Sequence, residues 1–385
     1  MLSGRIPLTP TLFALISACG AQVDTTNHAS DDVPYGDAPL ADFVDGDGAT
    51  WTLHDPTRMV ERDGSLLLAV TGKEQEGRYA CGLETWELRP GDETWQPGRC
   101  LLQDKPAWVA EELPSNDGAY WAPGFLGADL MYYSVSSGFD EEEGSCLGLL
   151  RARGEGDGRY WEDLGRPLFC SFDNEATGAP YPSSIDPAAF VDDDGSAWLV
   201  YGGGHIYAVA IDASTGLPLD DAWWSEEDSS HIHLANGPAT TPEGEPSDGD
   251  EWTEAPFLVK RDGFYYLLLN AYACCEGPDS TYEIRVGRAT EVGGPYLDRE
   301  GVRLLDGGGT LVLDGTDAEP GPGHPGVHRI RFDGEDADLL TYHYYPPSGE
   351  PWATLGARLL YWEDGWPAVD PEPFDIAAWY AEAER

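Results

Sequence analysis

Short runs of apolar and aromatic residues, each of strand length, recur along the chain. An Asp-Gly pair comes shortly before four of the five clearest runs. Asp-Gly between apolar runs is a strong signal for a β-hairpin. No segment has the 3.6-residue period of a long amphipathic helix, so the pattern predicts an all-β fold. The five runs are residues 65–70, 130–135, 197–201, 264–269 and 339–344.

Each run also follows a tripeptide that ends in proline, and these tripeptides repeat at a nearly constant interval. Successive prolines lie 67, 64, 69 and 69 residues apart. A period of this size, with several short strands in each unit, is typical of a β-propeller. We therefore predict a five-bladed β-propeller over residues 46–385; a β-sandwich explains the regular spacing less well. The tripeptides are His54-Asp55-Pro56, Trp121-Ala122-Pro123, Ile185-Asp186-Pro187, Glu254-Ala255-Pro256 and Gly323-His324-Pro325.

The repeat predicts where the residues beside these prolines lie. In a propeller the first strand of each blade lines a central channel, and proline is tolerated at the start of such a strand. Equivalent positions of the blades therefore converge, which brings Asp55, Asp186 and Glu254 to one mouth of the channel. Trp121 and His324 belong to the other two tripeptides and are expected beside them.

Three carboxyl groups in one pocket have a specific chemical use. Like charges held close together separate their pKa values, so one group stays ionised as a base while another keeps its proton as an acid. Hydrolysis of a glycosidic bond requires such a pair. Two other interpretations stay open here: the acids cap backbone amides at strand starts, or they form a metal site with His324.

The charge of the chain restricts its partners. The sequence has 70 acidic and 22 basic residues, a formal net charge of −48. Such a surface repels phosphate groups and anionic lipids, so we expect no nucleic-acid partner. A neutral polysaccharide meets no such repulsion. The 14 Trp and 19 Tyr residues suit stacking on sugar rings, although core packing accounts for most of them.

Residues 1–19 resemble an export signal. Arg5 precedes a short apolar stretch that cannot span a bilayer as a helix and that ends in Ile-Ser-Ala-Cys at Cys19. These four residues are similar to a bacterial lipobox, in which the cysteine is lipidated. We expect export from a bacterial cell, an acidic polar linker at residues 20–45, and membrane contact only through lipid on Cys19.

Six cysteines follow Cys19, and an even number in an exported chain indicates disulfides. Two pairs each bracket neighbouring strands of one predicted blade, so we expect the bonds Cys81–Cys100 and Cys146–Cys170. The adjacent Cys274 and Cys275 form either a vicinal disulfide or two cysteines with separate partners or free thiols.

The motifs, taken in order, resemble the arabinanases of glycoside hydrolase family 43, and residues 274–296 resemble its endo-acting α-1,5-L-arabinanases. The resemblance implies an inverting hydrolase of plant cell-wall arabinan or a related neutral polysaccharide, and we expect a monomer. Beside the five tripeptides it rests on Tyr132-Tyr133-Ser134-Val135-Ser136, Cys274-Cys275-Glu276-Gly277, Ser280-Thr281-Tyr282, Val286-Gly287-Arg288, Gly294-Pro295-Tyr296 and Gly365-Trp366-Pro367.

The resemblance also assigns roles that the repeat alone does not. Asp55 matches the general base and Glu254 the general acid. Asp186 matches the aspartate that adjusts the pKa of the acid and orients it. Trp121 would form part of the sugar platform, and His324 would help hold a central calcium ion with several waters.

The sequence departs from the family pattern around the predicted sugar cleft. Gly202-Gly203-Gly204-His205 replaces a Gly-Ser-Phe-Trp-like stretch, Ser183-Ser184 replaces Asn-Ala, and Gly124 stands where aspartate is common. Phe139 is displaced by one residue. We predict that Phe139, Ser184 and His205 contact substrate; the alternative for His205 is an ordinary turn residue.

Two other functions remain as alternatives. One is an exo-acting arabinofuranosidase or β-xylosidase of the same family, which a blocked pocket rather than an open groove would favour. The other is a surface lipoprotein that binds glycans without turnover. Because all three acids are present, hydrolysis is the leading hypothesis.

Overall fold

The computed structural model describes most of the chain from residue 52 onwards, and these residues belong to one compact unit, Pro34–Arg385. The predicted signal peptide and most of the predicted linker lie outside the described residues. Within the described part of the chain, no helix has the length and apolar character to cross a membrane. The described residues are 38–39, 52–72, 74–75, 78–79, 81–102, 104–116, 118, 120–136, 144–154, 160–171, 183–219, 230–247, 251–349 and 352–383.

Five antiparallel sheets follow one another along the chain, and we call them blades 1 to 5. Blade 1 contains β1 (Ala38–Pro39), β2 (Val60–Arg62), β3 (Ser65–Thr71), β6 (Leu83–Leu88) and β7 (Gln96–Leu101). The small hairpin β4 (Glu74–Gln75) and β5 (Arg78–Tyr79) interrupts it. Blade 2 contains β8 (Tyr120–Leu126), β9 (Leu130–Ser136), β10 (Ser145–Arg153), β11 (Tyr160–Asp163) and β12 (Phe169–Ser171).

The last three blades each have four strands. Blade 3 contains β13 (Ala188–Val191), β14 (Ala197–Tyr201), β15 (His205–Ile211) and β16 (Ile232–Asn236). Blade 4 contains β17 (Thr253–Arg261), β18 (Phe264–Ala271), β19 (Glu283–Ala289) and β20 (Thr310–Leu313). Blade 5 contains β21 (Gly323–Phe332), β22 (Glu335–Tyr344), β23 (Thr354–Glu363) and β24 (Trp366–Val369). Among the described residues the helical segments are α1 (Ala107–Glu112), α2 (Ile376–Ala383) and the 3₁₀ turns Gly277–Asp279 and Leu304–Asp306.

These sheets form the predicted five-bladed β-propeller. Buried apolar clusters lie between each pair of neighbouring blades. One of them joins blade 5 to blade 1, where Ile330 and Leu339 pack with Leu66, Leu68 and α2. Because each inner strand is covered by a blade on both faces, strands such as β3 are apolar without alternation.

The strand β1 lies inside the segment predicted to be a linker. Ala38 pairs with Cys100 and Pro39 with Arg99 on β7. A sheet edge offers unpaired backbone groups to any extended segment, so this pairing needs no hydrophobic pattern in the sequence. At these two residues the chain therefore differs from the predicted free linker.

The Asp-Gly hairpins form mostly as predicted. At Asp63-Gly64, Asp262-Gly263 and Asp333-Gly334 both residues have positive φ, which is the type I′ geometry that suits twisted strands. The fourth pair, Asp194-Gly195, lies in a longer turn in which only the glycine has positive φ.

The five prolines meet at the channel, as the repeat predicts. Pro56, Pro123, Pro187, Pro256 and Pro325 line one cavity together with His324. Their position in the strands corrects one expectation, since in β8, β17 and β21 the proline lies within the strand at a register shift. The irregularity means that the missing N–H breaks no ladder hydrogen bond.

The residue before each proline has a left-handed backbone, with φ between 46° and 56°. Its amide N–H donates to a polar side chain of the preceding blade, which produces a ring of five hydrogen bonds around the channel. The donors and acceptors are Asp55 to His343 Nδ1 (3.1 Å), Ala122 to Thr71 Oγ1 (2.9 Å), Asp186 to Ser134 Oγ (2.9 Å), Ala255 to Asp186 Oδ2 (3.0 Å) and His324 to Asn270 Oδ1 (2.8 Å).

Candidate active site

The Asp55 carboxylate is surrounded by polar side chains from blades 1 and 5. Thr71 Oγ1 donates to Oδ2 at 2.5 Å, and His54 Nδ1 lies 2.8 Å from the same oxygen. His324 Nδ1 and His343 Nδ1 lie 3.3 and 3.6 Å from Oδ1. Burial alone would raise the pKa of Asp55, but His54 and His324 outweigh it and hold the pKa well below its ordinary value. Asp55 is therefore ionised and can accept a proton.

An aromatic stack orients His54 beside this carboxylate. The His54 ring lies between His343, at a centroid distance of 4.0 Å, and Trp352, at 4.7 Å. Its Nε2 lies 2.8 Å from the hydroxyl of Tyr345, and that hydroxyl accepts the amide N–H of Cys275 at 2.9 Å. The orientation of the base is thus linked to the Cys274–Cys275 segment.

Glu254 enters the same site from the start of blade 4. Trp252 Nε1 donates to its Oε2 at 2.7 Å, and the Tyr282 hydroxyl donates to its Oε1 at 2.7 Å. Burial raises the pKa of Glu254, and the negative charge of Asp55 raises it further, against the two donors. A carboxyl group with a raised pKa can keep a proton and deliver it to a leaving oxygen.

Asp186 is repelled by the negative charge of both of these acids. Burial, then repulsion from Glu254 and from Asp55, raises its pKa well above the ordinary value. Its Oδ2 accepts the amide N–H of Ala255 at 3.0 Å, so it also fixes the backbone directly after Glu254. The arrangement provides one ionised base and two carboxyl groups that compete for a proton.

Comparison with known proteins identifies the family. The sequence profile of glycosyl hydrolases family 43 matches residues 93–367. The extracellular endo-α-(1→5)-L-arabinanase 1 of Bacillus subtilis (strain 168) is 30% identical over 322 residues, which is 82% of this chain and 87% of that protein. The chain belongs to glycoside hydrolase family 43.

Other family 43 proteins are similar over most of their length. The extracellular exo-α-(1→5)-L-arabinofuranosidase ArbA of Cellvibrio japonicus (strain Ueda107) is 29% identical over 288 residues, 73% of this chain and 78% of that protein. The structure of Cellvibrio cellulosa α-L-arabinanase complexed with arabinohexaose has a TM-score of 0.67 at 27% identity. The match covers 83% of this chain and 96% of the Cellvibrio cellulosa chain.

The structure brings the three acids and His324 of this family 43 chain together, as the repeat predicts. Trp121 is partly exposed and pairs with Ser134, which also contacts the Asp186 amide. Whether these residues carry the roles that the resemblance implies stays a prediction.

The predicted substrate contacts have mixed surroundings. His205 begins β15 partly exposed, and its Nδ1 lies 2.7 Å from Asn236 Oδ1. Ser184 is completely buried, with its amide N–H donating to Ser145 Oγ at 2.7 Å, which does not favour direct contact with a sugar. Phe139 lies outside the described residues. Substrate contact by these three residues stays a prediction.

Several residues near the acids were not among the predicted site residues, among them Trp252, Tyr282, His343 and Trp352. A signal for Trp252 was present, because residues two apart in an extended chain point to the same side and Trp252 precedes Glu254 by two. His343 is the last but one residue of a predicted strand, and only the register of β21 and β22, which pairs it with Gly323, brings it to the channel. Trp352 follows in a loop, where no pattern predicts its contact with His54.

Two departures from the family pattern have steric reasons. A Cβ at Gly124 would lie 1.9 Å from the carbonyl oxygen of Pro187, so blade 3 leaves no room for an aspartate there. A Cβ at Gly203 would lie 2.7 Å from Cζ2 of Trp252. Gly203 and Gly204 therefore leave space for the ring of Trp252.

The structure contains both predicted disulfides. Cys81 is bonded to Cys100, and Cys146 is bonded to Cys170, each within one blade. Of the alternatives left open for Cys274 and Cys275, the structure has the vicinal disulfide.

Proposed function

We propose that this family 43 protein hydrolyses α-1,5-L-arabinofuranosidic bonds in arabinan with inversion at the anomeric carbon. The observation that carries the proposal is the pair of opposite pKa shifts, lowered at Asp55 and raised at Glu254, within one buried pocket. The names of the relatives, endo- and exo-acting arabinanases, support arabinan as the substrate.

In the proposed mechanism Asp55 accepts a proton from a water that attacks the anomeric carbon. Glu254 delivers its proton to the glycosidic oxygen as the bond to the leaving sugar breaks. Asp186 holds the backbone directly after Glu254, and repulsion between these two carboxyl groups keeps one proton in the pair until the leaving oxygen takes it.

Time-resolved proton NMR of the first products tests the mechanism. An inverting enzyme needs its two carboxyl groups roughly 6.5–9.5 Å apart to accommodate water. We expect the first sugar released to have inverted anomeric configuration before mutarotation. Retention of configuration, or a glycosyl group trapped on Asp55, would contradict the proposal.

Endo action is proposed first, with exo action as the second candidate, because ArbA of Cellvibrio japonicus is named as exo-acting. Product profiles from linear and branched arabinan separate the two. A ladder of oligosaccharides at early times supports endo action, and a single short product supports exo action.

We also propose a central calcium ion near His324. The donor set fits a hydrated cation, because Asp55 Oδ1 has only the long contacts to His324 and His343 among the described residues and so keeps lone pairs available. When bound, the ion would compensate the charge of the buried acids. EDTA should lower the melting temperature, and calcium but not magnesium should restore it. A melting temperature that EDTA leaves unchanged in protein shown to be metal-free would contradict the site.

Export is proposed because relatives are named extracellular. A lipid on Cys19 and a monomeric state are further parts of this proposal. Mass spectrometry of the mature N-terminus and light scattering test them; an unprocessed Met1 would contradict export.

A further inference from the structure

Trp252 combines an exposed ring with a direct bond to the proposed acid. Trp252 is 42% exposed, and its Nε1–H donates to Oε2 of the partly buried Glu254 at 2.7 Å. A large apolar ring that stays accessible beside a partly buried carboxyl group is suited to contact a ligand at that group.

The ring is held in place by blade 3. Gly203 and Gly204 lie against it: a Cβ on Gly203 would be 2.7 Å from Cζ2, and a Cβ on Gly204 would be 3.2 Å from Cζ3. The backbone of Trp252 and of the next residue is also fixed, since Tyr272 N–H donates to Trp252 O at 3.0 Å and Gly204 N–H donates to Thr253 O at 2.8 Å.

We propose that Trp252 is a sugar-stacking platform next to the scissile bond and, through its indole N–H, a positioning residue for Glu254. The inference rests on the proposed function. A carboxyl group that protonates the glycosidic oxygen lies within hydrogen-bond reach of it. A ring that is hydrogen-bonded to that carboxyl group therefore lies beside one of the two sugars that the scissile bond connects. Aromatic faces bind the apolar faces of sugars.

Two variants at Trp252 separate the two roles. Trp252→Phe keeps a ring and loses the donor, so on linear arabinan kcat should fall about 10- to 100-fold, less than the loss of the general acid itself would cause, while KM changes little. Trp252→Ala also loses the platform, so KM should rise about 3- to 10-fold in addition.

The leaving group distinguishes positioning of the acid from general damage. A 4-nitrophenyl glycoside of an arabino-oligosaccharide releases a phenolate that needs little protonation. On this substrate Trp252→Phe should keep its kcat within about threefold of the wild type. An equal loss on both substrates would overturn the positioning role.

A variant on the neighbouring blade tests the same contact from the other side. Gly203→Ala adds a methyl group against the Trp252 ring and the end of the Ile185 side chain, and it should lower kcat on arabinan as Trp252→Phe does. Trp379→Phe is the matched control, because Trp379, on α2, donates its indole N–H to Arg331 O of β21 at 2.8 Å and the variant removes this bond. It should leave both kinetic constants unchanged.

Two different outcomes distinguish a failure of this inference from a failure of the proposed function. A wild-type protein that cleaves neither arabinan nor the aryl glycoside overturns the proposed function. A wild-type protein that cleaves both, with Trp252→Phe and Trp252→Ala at wild-type kcat and KM, overturns the role of Trp252 alone.

Discussion

Asp55 and Asp186 hold left-handed backbones immediately before prolines, a conformation that costs a residue with a Cβ about 1–2 kcal/mol. The cost is offset because each amide N–H then reaches a side chain of the preceding blade. The same backbone recurs at Ala122 and Ala255, which carry no catalytic group. The strain therefore belongs to the propeller repeat, and the site uses positions that the repeat already fixes.

Replacement of Glu254 by glutamine should remove the proton donor while keeping the shape of the side chain. The amide still accepts from Tyr282 but has no proton to deliver. We expect kcat on arabinan to fall at least about 100-fold, with oligosaccharide binding measured by calorimetry little changed. Glu300→Gln, at an exposed glutamate, is the control. Near-normal turnover by Glu254→Gln would refute the assignment of the acid.

Tyr345→Phe should weaken the base indirectly. Loss of the hydroxyl leaves His54 Nε2 and the Cys275 amide without this partner, so His54 holds Asp55 less firmly. We expect an unfolding free energy lower by about 1–3 kcal/mol and a fall in kcat with KM preserved. Tyr361→Phe removes an exposed hydroxyl bonded to Asp370 and serves as the control. Full kcat in a destabilised Tyr345→Phe protein would show that the link to the base is unimportant.

At the scale of elements, a strand could be predicted from the sequence when both of its faces are buried. The run 197–201 was predicted and matches β14, because an inner strand covered on both faces is uniformly apolar. The strand β7 has a mixed polar pattern and gave no such signal. The acids were found because they adjoin the repeated prolines. Trp252 and Trp352 lie outside the repeat, and their contacts depend on loop paths that no period encodes.

The close approach of blades 2 and 3 gives a prediction for Gly124. An added Cβ would meet the backbone carbonyl of Pro187, which cannot rotate away, so Gly124→Ala should lower the unfolding free energy by about 3 kcal/mol or more. Gly293→Ala is the control, because its Cβ would meet only the end of the Ile232 side chain at 3.3 Å. Equal denaturation midpoints for the two variants would contradict this view of the blade contact.

At the scale of the whole molecule, the ring closes through apolar packing and its outer surface carries the charge. The cluster between blades 5 and 1 includes Ile376 and Tyr380 of α2, so the C-terminal helix covers the closure. The net charge of −48 explains why a neutral substrate suits this surface. The composition predicts this preference for an uncharged substrate. The packing of α2 over the junction of blades 5 and 1 could not be predicted, because a helix of eight residues has too few positions to show a helical period.

Stability at mildly acid pH should depend on buried histidines. Burial lowers the pKa of His231 to about 4 and that of His328 to about 3. An unfolded histidine titrates near about 6.5, so below that pH the unfolded chain binds protons that these folded residues do not. The stability that each contributes is present above pH about 6.5 and is lost as the pH falls towards the folded pKa. At pH 5 the loss is about 2 kcal/mol for each histidine.

Asp186 and Glu254 act with the opposite sign, since their raised pKa values favour the folded state as the pH falls, whereas the lowered pKa of Asp55 acts in the same direction as the histidines. A single variant isolates the histidine contribution from theirs. His328→Gln can keep a bond to Thr341, which lies 2.8 Å from His328 Nε2, but it cannot titrate. Urea denaturation at constant ionic strength should show that the variant loses about 2 kcal/mol less than the wild type between pH 7 and pH 5. Identical losses in the two proteins would mean that His328 is protonated in the folded state.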